Sequence, residues 1–138
     1  MIAEGNASNM RFGVIVAREF EEHSEIHLPM LVDNLTRMGC QGDNILIKYV
    51  PTMHDILVTT QFMAQYTDVD GVIILAPKDI VMGSSYLMQS IALVQVQNGM
   101  VVEIGGAECA ADIVYMIEMQ NDMELSAPAE KMPPFMLS

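Results

Sequence analysis

Seven consecutive residues, Val50-Pro51-Thr52-Met53-His54-Asp55-Ile56, hold the densest run of groups able to do chemistry in this chain. His54 can take or give a proton near neutral pH, and Asp55 supplies a carboxylate that the backbone dipole favours at the start of a helix. Read structurally, the same two residues are a helix cap and its solvent-side neighbour. Phe20 can stack on a flat heterocycle, or it can close the edge of a core as an aromatic lid. Lys78 can bind an anion and Asp79 can relay a proton, or both can stand in a solvated loop. Pro51, Thr52, Met53 and Pro77 would wall such a ligand.

Other constellations carry less. His23 and His27 are four apart, which on a helix would bring both rings to one face for a metal. Ser24 reads as the N-cap of that helix, which leaves His23 outside it, so no metal site is expected. The 14 methionines are spread over the whole chain and read as core filling. Ser84-Ser85 and Gly105-Gly106 are too short to count as a nucleophile elbow or a phosphate loop.

Hydrophobic patterning shows what must position these groups. Residues 12–17 and 71–76 are continuous apolar runs, the mark of strands covered on both faces. Residues 45–50 and 100–104 read as two further strands. Helices are predicted over 24–38, 55–66, 80–97 and 107–123, the first with Leu28, Leu31, Leu35 and Met38 on one face and Gly39 as its stop. Strands alternating with helices imply an α/β fold, a three-layer α/β/α sandwich on a four-stranded parallel sheet with flavodoxin-like layering. Ligands in such sheets bind beyond the carboxyl ends of the strands, here Arg18 to Phe20, Pro51 to Asp55, Pro77 to Asp79 and Gly105-Gly106. One domain over 11–124 is expected, after a flexible lead over 1–10 and before a Pro-rich tail over 125–138.

Composition bounds the function. At 138 residues the chain suits one domain, and 51% hydrophobic residues with a mean hydropathy of +0.31 exceed what a soluble monomer hides easily. Subunit interfaces are the expected home for the excess. A net charge of −12, from 18 acids against 6 bases, argues against nucleic acid and anionic membrane surfaces as partners. Residues 80–102 carry no charge but include three Ser, three Gln and an Asn, too polar for a lipid-facing span. Cys40 and Cys109 are expected to be reduced core residues of a cytoplasmic protein, and no signal peptide is expected at the N-terminus.

These residues, in this order, resemble the lumazine synthase family (6,7-dimethyl-8-ribityllumazine synthase), whose relatives include the archaeal type of riboflavin synthase. Arg11-Phe12-Gly13-Val14-Ile15-Val16-Ala17-Arg18 is similar to the family's opening strand, and Glu21-Glu22 and Ser24-Glu25 continue the match. Gly39 and Asp43-Asn44-Ile45 fall where the family turns into its next strand. Val50-Pro51 with Asp55-Ile56 is similar to its V-P-G-A-F-E-I-P, which holds a ribityl chain. Asp70-Gly71-Val72-Ile73-Ile74-Leu75 resembles the D-A-V-I-A-L of its third strand.

The departures concern chemistry. Where the family has a stacking Phe after Ala17-Arg18 this chain has Glu19, with Phe20 one place along, and the family's G-A-F-E is Thr52-Met53-His54-Asp55. The family's loop with a phosphate-binding G-T pair and a proton-transferring His is shortened to Pro77-Lys78-Asp79, and its later Lys- and Arg-bearing loop is missing. From Asp79 to Glu130 there are eight acids and no Lys or Arg. The resemblance therefore implies a homo-oligomeric scaffold or binding protein, pentamers or a capsid-like shell, without lumazine synthase activity. The alternative is a working riboflavin-biosynthesis enzyme with a rearranged site. It would use His54 or Asp79 for proton transfer, Phe20 and Asp55 for the heterocycle and its side chain, and Lys78 for phosphate. A flavin- or pterin-binding module is the third expectation. No resident cofactor is expected; a bound flavin or lumazine-like heterocyclic small molecule would suit Phe20.

Overall fold

A computed structural model describes residues 6–128. Four strands, β1 (Phe12–Ala17), β2 (Ile45–Val50), β3 (Gly71–Leu75) and β4 (Val101–Gly105), form one sheet in the order β2-β1-β3-β4. Every pairing is parallel, with Ala17 level with Val50 and Val16 with Leu75, so the strand ends finish side by side. Five helices connect and flank them: α1 (Glu21–Arg37), α2 (Ile56–Tyr66), α3 (Lys78–Met82), α4 (Ser85–Asn98) and α5 (Cys109–Ser126).

The expected layering is present. Every residue of β1 and β3 is buried, and their side chains alternate between two cores. Phe12, Val14, Val16, Ile73 and Leu75 meet Leu31 and Leu35 of α1 and Ile113 and Ile117 of α5. Ile15, Ala17, Val72 and Ile74 meet Ile56 and Met63 of α2, Val81 of α3 and Leu87 and Ile91 of α4. Strands covered on both faces must read apolar throughout, which is why these two runs lack the alternation of a half-exposed strand. Of the expected flexible lead over 1–10, residues 1–5 lie outside the described residues, while Ala7 and Met10 are buried in the first core and the Ala7 N–H donates to Met38 O at 2.9 Å.

Three helix boundaries differ from the sequence-based expectation. α1 begins at Glu21, after a 3₁₀ turn over Arg18–Phe20, so Ser24 lies inside the helix. Its hydroxyl donates to Phe20 O, four residues back, at 3.1 Å. Ser is a favoured cap but also satisfies itself this way within a helix, and Glu21 and Glu22 at the first turn complement the helix dipole instead. The predicted helix over 80–97 is two helices, because Ser84 accepts the Leu87 N–H at 3.2 Å and so caps α4 after a turn at Gly83. α5 runs to Ser126, two residues into the expected tail, and the tail from 129 onward lies outside the described residues. Gly39 does stop α1, at a φ of 102° that other residues rarely adopt.

Burial ranks the positions. Ile73→Ala in the fully buried central strand should cost about 2–5 kcal/mol, whereas Leu125→Ala on the exposed end of α5 should change stability by less than about 0.5 kcal/mol. Urea midpoints of the two variants against the parent chain check this.

Candidate functional site

The chain passes from β1 through α1 on one face to β2, then through α2 on the other face to β3. That reversal makes the gap between the ends of β1 and β3 the position where open α/β sheets bind ligands. A crevice of about 440 Å³ lies there, lined by Arg18, Glu19, Phe20, Glu21, Glu22, His23 and Pro77. Three carboxylates therefore face one guanidinium and one imidazole. Phe20 is partly buried and packs against the second core, and Pro77 adds an apolar patch to the lining.

The residues read from the sequence fall into three places. Phe20 and Pro77 line the crevice. Pro51, Thr52, Met53, His54 and Asp55 follow β2 as a turn that closes on itself: one Asp55 carboxylate oxygen accepts from the Thr52 N–H at 3.2 Å and from the Thr52 hydroxyl at 3.0 Å. The Asp55 N–H in turn donates to Thr52 O at 3.0 Å. This is reciprocal capping at the entry to α2. Glu19 ties the turn to the end of β1 by accepting the Met53 N–H. His54 is exposed and makes no side-chain hydrogen bond among the described residues. Lys78 and Asp79 form the exposed first turn of α3 outside the crevice lining.

Lys78 instead acts on the edge of the sheet. Burial pushes the Glu103 carboxyl of β4 up and the nearby Asp112 adds to that, while Lys78 pulls it back. Burial first, then Glu108, Glu103 and Asp112, push the Cys109 thiol up to about 12. Among the described residues the ion pairs are Arg11–Asp68 and Arg37–Asp33, which leaves Arg18, Lys48 and Lys78 without a carboxylate at ion-pair distance.

A second cluster, at the β4–α5 junction, was not anticipated. Because α1 starts at Glu21, His23 and His27 are both helical and their rings stack with centroids 4.3 Å apart. They do not converge on a metal position; they hold the loop after β4. His23 Nε2 lies 3.0 Å from Gly105 O, the Ala107 N–H donates to His27 Nδ1 at 3.1 Å, and the Asn34 side-chain amide donates to Ala107 O at 3.1 Å. Glu108 completes the loop by accepting the Gly106 N–H at 3.0 Å. Burial pushes the Glu108 carboxyl up, but the bonds from the Gly106 amide and its own amide, with the two imidazoles, bring it below the ordinary carboxylate range. Gly106 has to be glycine, since a Cβ there would overlap the His27 ring. The spacing of His23 and His27 was the available signal, and reading Ser24 as a cap hid it. No group of three or more His, Cys, Asp or Glu among the described residues could hold a metal ion, and no described helix is long and apolar enough to cross a membrane.

No family model matches the chain. The chain is similar to the 6,7-dimethyl-8-ribityllumazine synthase of Polynucleobacter necessarius subsp. necessarius (strain STIR1), 24% identical over 160 aligned positions that cover 94% of this chain and 92% of that protein. Since 160 positions exceed the 138 residues here, the relative carries segments with no counterpart in this chain.

Two outcomes test these assignments. Asp55→Ala should cost about 0.5–2 kcal/mol in denaturant unfolding, the value of a lost cap, with no ligand present. Cys40 and Cys109, both buried and with thiols pushed up, should resist iodoacetamide in the native protein near pH 8 and react fully in denaturant, as read by intact mass.

Proposed function

We propose that this chain is a lumazine-synthase-like homo-oligomeric scaffold or binding protein with little or no lumazine synthase activity. The observation that carries the reading is how the amides at the β4–α5 junction are used. A phosphorylated sugar brings about two negative charges, which need cations or free, oriented amides. The Gly106 and Ala107 amides are taken by Glu108 and His27. The crevice sets Glu19, Glu21 and Glu22 against Arg18, and Lys78 lies outside it near Glu103. Similarity to a lumazine synthase supports the scaffold.

Self-association is supported by α4. Tyr86, Leu93 and Val96 stand out from it, with Val96 75% exposed, and no charge falls anywhere in 80–102. Copies that each carry −12 repel least through such a surface. The resemblance implies pentamers, in one layer or as a shell.

A second reading, binding of a flavin- or pterin-like heterocycle, is favoured by the crevice itself, with Phe20 beside the apolar ring of Pro77. A working enzyme would have to use His54 or Asp79 for protons, Asp55 for hydroxyls and Lys78 for phosphate, groups spread over two separate turns.

Incubation of the purified protein with the butanone phosphate and the ribitylamino-pyrimidinedione should give no product above background; turnover at ordinary enzyme rates would overturn the proposal. Native mass should show a closed multimer rather than a monomer. A riboflavin titration should raise the unfolding temperature if the crevice binds flat rings, and Phe20→Ala should abolish that rise.

A further inference from the structure

The loop after β4 hangs on a hydrogen bond that only a neutral histidine can make. A backbone N–H can only donate, so His27 Nδ1, 3.1 Å from the Ala107 nitrogen, must present a lone pair and its ring hydrogen must sit on Nε2. A carbonyl can only accept, so His23 Nε2, 3.0 Å from Gly105 O, must carry a hydrogen. The two rings are stacked 4.3 Å apart at 29°, so the pair does not welcome two positive charges. The Glu108 carboxylate lies near enough to act on both imidazoles while it accepts the Gly106 N–H.

The geometry points to a proton-operated clamp in which protonation of His27 turns Nδ1 from acceptor to donor, breaks its bond to Ala107 and redirects it to Glu108. Glu108 then leaves Gly106, and both loop amides are released together. One proton moves from solvent to Nδ1, and no covalent bond changes. Glu108 is still a carboxylate when an imidazole titrates, because its loop bonds hold it below the ordinary range despite its burial.

Most of the charged groups around the pair are acids. On the preceding turn and the first turn of α1, Glu19, Glu21 and Glu22 share the crevice with His23, against Arg18 alone, and Pro77 from beyond β3 is uncharged. From α5 come Glu108 and the neutral Cys109 thiol, which Glu103, Asp112 and Lys78 also reach. Arg18, the stacked partner ring and the facing N–H of Ala107 stand on the other side. Because Nδ1 accepts only while the ring is neutral, the clamp is closed with His27 neutral and opens on its protonation.

Nitrogen-15 NMR of the full chain tests this independently of any ligand or activity. At about pH 7.5 the His27 ring should show the Nε2–H form, and on lowering to about pH 5.5 the Gly106 and Ala107 amides should shift with the His27 midpoint. Their exchange protection, corrected for intrinsic rates, should fall by about tenfold or more. His27→Asn supplies a non-titrating oxygen near the Nδ1 position and should hold the Ala107 protection flat over this range. Glu108→Gln removes the charge that draws the residue to the imidazolium, so the Ala107 amide should still be released while Gly106 stays largely protected. An Nδ1–H ring at the higher pH, amides that ignore the His27 titration, or an undiminished pH response in His27→Asn would each overturn the clamp. Should that variant fail to fold, the ring and amide titrations of the parent chain decide alone.

Discussion

Burial of β1 and β3 on both faces is the constraint from which the rest of the molecule follows. Eleven consecutive-strand positions contribute no exposed side chain, so helices must cover both sides of the sheet. With right-handed crossovers this places α1 and α5 on one face and α2, α3 and α4 on the other. The reversal between β1 and β3 follows directly, and with it the crevice at their ends. The candidate chemistry consequently lies at the strand ends and on the outer helix faces.

The strand ends are largely occupied with one another. A buried or half-buried backbone N–H has to find an acceptor, and an acid-rich chain supplies carboxylates readily. Glu19 takes the Met53 N–H, Asp55 takes that of Thr52, and Glu108 takes that of Gly106. Each of these bonds fixes a loop and, by the same act, occupies an amide and a carboxylate oxygen that a ligand could have used. The surplus of acids over bases thus acts locally as well as globally: it shapes loops that need no anion to complete them.

The strands and the layering were legible in the sequence because double-sided burial leaves an unambiguous apolar signature. β2 and β4 were found from shorter runs, and both are edge strands with only partial burial. Helix starts were harder to read. Ser24 satisfies the local statistics of a cap, but whether it caps or bonds back to Phe20 depends on how the chain leaves β1, which no window of residues contains. That one ambiguity concealed the His23–His27 pair, whose partners Gly105 and Ala107 lie some eighty residues away. The capping role of Asp55 was legible for the opposite reason, since its partner Thr52 is three residues off. Arg18 and Glu19 line the crevice as their place directly after an apolar strand implies, whereas His23 reaches it only because α1 starts early.

Glu19 shows how one side chain can set the character of a strand end. A Phe at that position would offer a ring but no acceptor, and the Met53 N–H would need another partner. With Glu19 the end of β1 is bonded to the turn after β2, and the neighbouring Phe20 packs on the second core while still bordering the crevice. The exchange trades freedom at the strand ends for rigidity and puts a carboxylate where a flat, uncharged surface would otherwise lie. A crevice altered in this way favours ligands that donate hydrogen bonds and disfavours those that bring negative charge, whatever the fold around it resembles.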